Sequence, residues 1–225
     1  MNIFPVYGKR EYEADFPDLN LREVYRYLGY RQETPEPRIE EAVQAAKEHL
    51  ERVIRPKAVF RSFPLKTLEE QADSKEDAAH LILEGAFDTK SRDLMKNLQD
   101  CRAVILFAAT LGPGPDLLIR RAGVQRISDS VILQAVSAEM IEEICNRLNE
   151  ELRVLSEKQA LRLRPRYSPG YGDLSLEVQK NIIQVLNAQK EIGLSLTEGL
   201  LMTPGKSVTA LIGVQPERND HENSN

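Results

Sequence analysis

The sequence predicts an α+β fold, in which helices pack with a few buried strands. Three segments carry that prediction. CRAVILFAATLG (101–112) is a continuous apolar run ending at glycine, the pattern of a strand buried on both faces. SVTALIGV (207–214) is rich in β-branched residues and reads as another strand. Between them Val131, Ala135, Ala138, Ile141, Cys145, Leu148, Leu152 and Leu155 recur at steps of three and four, one apolar face of a helix from about Ser128 to Leu155. With 225 residues, 41% of them hydrophobic, the chain has material for one large or two small domains with a real core.

The other elements follow in order. Residues 1–20 carry Pro5, Gly8 and Pro17 among charges and read as an irregular arm. Asn20 is placed to cap a short helix, LREVYRYLGY, which Gly29 stops. Residues 1–36 are thus expected to form an N-terminal arm with a short helix, and TPEP (34–37) a linker or turn. From 37 to 55, Ile39, Val43, Ala46, Leu50 and Val53 mark an amphipathic helix that Pro56 ends. AVFRSFPL (58–65) alternates as a strand does, and Ser91–Gln99 suits a short helix. GPGPD (112–116) is a turn with Pro115 near the start of DLLIRRAG. A helix is expected from Ser175, as N-cap, to Gly193, then a short LSLTEGLLM segment and the turn TPGKS. The main domain is expected over 37–215, and ERNDHENSN reads as the end of a disordered tail covering 216–225.

Composition narrows the chemistry. A formal net charge of −5 disfavours a generally basic nucleic-acid binder. No apolar run approaches the roughly 18–20 residues of a membrane span. MNIFPVYGKREYEADF shows no secretory signal, and Cys101 and Cys145 make no disulfide framework, so a cytoplasmic location is expected. The three His residues, His49, His80 and His221, stand in no HExxH pattern, and no CxxC or GxSxG occurs. Zinc and hydrolase chemistry are therefore not expected.

Two features are singled out. Glu142 falls at i+4 from Ala138 and i−3 from Cys145, on the apolar stripe of the long helix, while Glu139, Glu143 and Glu150 are expected to point elsewhere. A carboxylate there needs a cationic partner or a ligand. It is either a boundary residue paired with an arginine or a ligand contact. LRLRPRYSPGYGDLS (161–175) sets Arg166, Tyr167 and Tyr171 among Pro165, Pro169, Gly170 and Gly172, in either a recognition loop or a rigid turn. Glu198 sits among small residues as a cap, an arginine partner or an exposed side chain. GLLMTPGKS imitates a phosphate-binding loop, but five residues separate Gly199 from Gly205 where four are required, and a strand follows where a helix should.

The ordered set of Glu142, Arg166–Tyr171 (RYSPGY), Ile192–Glu198 (IGLSLTE) and Pro204–Thr209 (PGKSVT) resembles the activation, or reactivation, domain of cobalamin-dependent methionine synthase. More closely it resembles the stand-alone proteins related to that domain, with RYLGY (26–30) and LFAATLG (106–112) adding to the likeness. The resemblance implies helices packed on a twisted antiparallel sheet. It implies an S-adenosylmethionine-binding accessory protein for the reductive reactivation, by remethylation, of a methionine synthase or related corrinoid enzyme. Cobalamin would be met only through that partner, and electrons would come from a flavodoxin-like reductant. Carried onto this sequence, Glu142 pairs with the ammonium and Arg166 with the carboxylate, Gly170 permits close backbone approach, backbone groups of the 167–171 loop, Tyr167 and Ser168 included, read the adenine, and Tyr171 packs by the sulfonium or the adenosine. Three departures weigh against ligand binding: GYGD stands where the enzyme family has GYPA, Leu211 and Ile212 stand where the enzyme has aromatics, and the family's N-terminal acidic contact has only Asp18 and Glu23 as candidates here. A non-catalytic interaction subunit that keeps the fold without the ligand is the alternative. A third reading is an independent methyltransferase.

Overall fold

In the computed structural model, residues 6–16, 19–30, 35–68 and 79–217 are described. The stretch 1–20, expected to be irregular, holds β1 (Tyr7–Glu11), and the expected short helix is α1 (Leu21–Tyr27). β1 reads YGKRE and has no aliphatic residue; it is a strand because it has a partner. It runs antiparallel to β2 (Lys57–Leu68), with Tyr7 opposite Arg61 and Glu11 opposite Lys57. The expected cap is present on α1, where the Glu23 amide donates to Asn20 Oδ1 at 3.4 Å. Phe16 and Val24 are wholly buried, so this segment builds the core and does not lie apart from it. α2 (Pro37–Val53) starts on a proline, where the missing N–H costs nothing.

A hairpin follows that the sequence reading did not contain: β3 (His80–Leu83) and β4 (Phe87–Lys90), turning at Gly85 with φ +80°. α3 (Arg92–Asn97) is capped by Ser91, whose hydroxyl accepts from the Leu94 amide at 2.9 Å. Then come β5 (Ala103–Thr110), α4 (Gly114–Gln125), α5 (Ile127–Glu157) and the short β6 (Leu161–Leu163). The single helix expected up to Gly193 is two, α6 (Val178–Val185) and α7 (Ala188–Ile192). Asn187 breaks it by turning left-handed at φ +51°. Ser175 does not cap α6; its hydroxyl accepts from the Glu177 amide one turn earlier. β7 (Ser195–Leu196) and β8 (Met202–Thr203) make a small hairpin before β9 (Ser207–Pro216). Because Lys206 leads into a strand, the phosphate-loop imitation fails in context as well as in spacing. Lys206 is more than a turn residue: its ammonium donates to the Gln134 carbonyl at 3.2 Å, while the Gly205 amide donates to Asp116 at 2.7 Å. β9 passes the expected boundary at 215, and the Glu217 amide donates to the Ala160 carbonyl at 2.9 Å. The remainder of the expected tail, 218–225, lies outside the described residues.

Every strand pair is antiparallel, in the order β4-β3-β2-β5-β9-β6. The outer edge of β2 is shared, its first half by β1 and its last four residues by β3. All eight residues of β5 are buried, because helices cover both sides of the sheet. Period-two alternation sorts the side chains. Ala103, Ile105, Phe107 and Ala109 of β5 join Ala210 and Ile212 of β9 in one core, beneath α1, α2 and α5. Val104, Leu106, Ala108 and Leu211 face a second core beneath α3, α6 and α7.

Candidate functional site

α5 buries most of the line its spacing suggested and a second line beside it. Val131, the first residue of the expected stripe, is exposed. Ile132, Val136, Met140 and Ile144 are buried beside Ala135, Ile141, Cys145 and Leu148, because α1, α2 and α4 all pack against α5. The carboxylate carried inward is therefore Glu139. Glu139 is 6% exposed, whereas the Glu142 side chain is 43% exposed. This corrects the expectation that Glu139 points elsewhere. Glu142 is a boundary residue.

No hydrogen bond or ion pair from the described residues reaches the Glu139 carboxylate. Burial pushes its acid up to about 7, and the charges of Glu23, Glu142 and Glu143 add to that, with Arg26 opposing. Glu23 comes from α1, where it is paired with Arg26 at 2.6 Å. Tyr27 of α1 is held above its ordinary value by burial first and then by Glu139 and Glu142. α1 thus brings an acid and a phenol to the acidic turn of α5. The other acidic candidate, Asp18, lies outside the described residues.

A stability prediction follows from Glu139. Its folded value, about 7, lies above the unfolded 4.5. Across that window the folded state keeps a proton the unfolded chain has released, so stability falls as pH rises. Glu139→Gln removes this dependence. The variant is expected to exceed the wild type by about 1–3 kcal/mol at pH 8 and to differ little at pH 5. Urea unfolding at the two pH values checks this; parallel pH dependence in both proteins would refute it.

Arg166 enters from the other side. It leaves the sheet edge just after β6, and its guanidinium donates to Glu142 at 3.3 Å and to Asn146 Oδ1 at 3.0 Å. Sequence reasoning placed both Glu142 and Arg166 at the site, and the fold brings them together. Tyr167, the next residue, faces the opposite core and is buried. Its amide and carbonyl both pair with Leu211, at 2.9 and 2.8 Å. Its hydroxyl donates to the Tyr171 carbonyl at 3.2 Å, and the two rings meet edge to face at 5.6 Å. Tyr171 is 71% exposed, so Tyr167 buttresses a ring that faces outward. Ser168 and Gly170 shape the turn between them. The Ser168 carbonyl accepts from the Tyr171 amide at 3.2 Å, and Gly170, at φ +85°, donates to the Leu174 carbonyl at 2.9 Å. Leu211 and Ile212 are wholly buried, one on each side of the sheet, and present nothing to this surface. Glu198 is exposed. Both cysteines are free thiols, and no cluster of His, Cys, Asp and Glu suited to a metal ion occurs among the described residues. No helix among them is long and apolar enough to cross a membrane.

An antiparallel sheet covered on both faces by helices, in this order, is an architecture found among solved structures. The fold matches the crystal structure of the MetH reactivation domain bound to AdoHcy, at a TM-score of 0.63 and 18% identity, covering 95% of this chain and 80% of that one. The family follows from the sequence itself. Residues 61–222 match the model for the activation domain of vitamin B12 dependent methionine synthase, and the chain belongs to that family. Among curated proteins none gives a significant match.

Proposed function

We propose that this protein binds S-adenosylmethionine and presents it to a partner that carries cobalamin, a methionine synthase or a related corrinoid enzyme. The observation that carries the reading is Glu139, a buried carboxylate with no hydrogen-bond or ion-pair partner among the described residues, one helical turn from the Glu142–Arg166 pair. An acid held in that state suits a cationic group that enters from outside. The methionine end of the ligand is a zwitterion, and the site offers a complement to each charge. The ligand carboxylate takes the Arg166 fork from Glu142, and the ammonium takes the carboxylates of Glu139 and Glu142. Tyr171 lies open for the sulfonium or the adenosine. In the loop, Ser168 and Gly170 set the backbone against which the adenine rests, and Tyr167 acts through Tyr171 by supporting its ring.

The ligand supplies an activated methyl group; the residues of this chain bind it, orient it and keep the ammonium neutralised. The corrinoid would belong to the partner, in keeping with the activation-domain family to which the chain belongs. The reducing electron would come from a flavodoxin-like protein acting on that partner. A cytoplasmic location accords with these partners.

Two observations favour a second reading, an interaction subunit that keeps the fold without the ligand. Arg166 already has two acceptors, Glu142 and Asn146, and the strand positions expected to be aromatic hold buried Leu211 and Ile212. Isothermal titration with S-adenosylmethionine up to millimolar concentration separates the two. Saturable one-site binding is expected, and its absence would leave the interaction subunit.

A further inference from the structure

The loop that presents Tyr171 contains two glycines in left-handed conformations, Gly170 at φ +85° and Gly172 at φ +55°. Such residues leave a free loop many conformations. Here the loop is fastened at its far end. Asp173 accepts from the Arg92 amide at 2.8 Å, from the Asp93 amide at 3.2 Å and from the Ser91 hydroxyl, all at the start of α3. Ser91 is itself buried and fixed by its bond to the Leu94 amide. The contact is close along its length. A Cβ on Gly172 would lie 2.5 Å from the Tyr167 hydroxyl and 2.7 Å from an Asp93 carboxylate oxygen. Burial alone would raise the Asp173 acid, yet the donors of Ser91, Arg92 and Asp93 hold it below the ordinary carboxylate value.

We propose that Asp173 is the positioning residue of the site, a clamp that fastens the 166–172 loop to α3 and fixes the placement of Tyr171 before any ligand arrives. Asp173 touches no ligand; it acts through the loop. Ordering the loop in advance lowers the entropy lost on binding. The role at the ligand rests on the S-adenosylmethionine reading above, and the test keeps the two apart.

Hydrogen exchange is measured on the ligand-free protein, and S-adenosylmethionine titration is carried out on the same samples. Asp173→Ala is expected to lose protection about tenfold or more at the amides of Gly170, Tyr171 and Leu174, with β5 unchanged, and to bind the ligand about tenfold more weakly. Asp173→Asn keeps the oxygen that receives Ser91 and Asp93 and loses the acceptor for Arg92, so losses of about two- to threefold are expected. This milder variant decides the matter if the alanine variant fails to fold. Unchanged protection in both variants overturns the clamp. Lost protection with unchanged affinity overturns its role at the ligand. A wild-type protein that binds no S-adenosylmethionine overturns the site reading itself, while the ligand-free exchange still decides the clamp.

Discussion

Arg166→Ala is expected to weaken S-adenosylmethionine binding about 100-fold, through loss of a charge-assisted fork to the ligand carboxylate. Its effect on folding is expected to be small, within about 1 kcal/mol, because the Glu142–Arg166 pair is a partly exposed boundary contact. Arg166→Lys keeps the charge and loses the planar fork, so it recovers only part of the affinity. Titration calorimetry and urea unfolding of the same preparations check both halves of the expectation. Affinity equal to that of the wild type would remove Arg166 from the site. A large fall in stability with no fall in affinity would make the arginine a structural residue only.

The largest expected effect on stability comes from the middle of β5. Phe107 is wholly buried, sits opposite Phe60 of β2 and Ala210 of β9, and faces the core beneath α5. Phe107→Ala removes most of a ring where sheet and helices leave little room to collapse, and a loss of about 3–5 kcal/mol is expected. That is a large part of a typical folding stability of about 5–15 kcal/mol. The shift in the urea midpoint measures it. A loss below about 1 kcal/mol would mean that the core beneath α5 repacks freely.

The two cases also separate what was legible in the sequence from what was not. β5 announces itself, because a strand covered on both faces is apolar at nearly every position, and β9 does so through its β-branched residues; no partner need be known to see either. β1 is the opposite case. YGKRE is a strand only through its pairing with Lys57–Arg61, and nothing in five mostly polar residues encodes a partner fifty positions away. The break at Asn187 was equally hidden, since asparagine takes the left-handed conformation without the glycine or proline that marks most breaks. At the candidate site, Glu142 and Arg166, both singled out from the sequence, meet in the fold. Glu139 was missed because the helical stripe was counted from Val131. Counted from Ile132, the steps to Val136, Met140 and Ile144 trace a second apolar line, and Glu139 stands beside it. A helix covered on more than one side carries two such lines, and the acid between them is the more deeply buried one.

Arg166 and Tyr167 are consecutive, yet one reaches α5 and the other enters the opposite core. The chain between them is extended and bonded to Leu211, so the sheet edge acts as a ruler between the two layers. A substitution in this segment alters one contact. A single-residue insertion or deletion alters every assignment beyond it, sending the cation toward α6 and the phenol toward α5. A change of one residue in length between Leu163 and Tyr171 is therefore expected to undo the Glu142–Arg166 pair and the Tyr167–Tyr171 contact together, where a substitution undoes one of them.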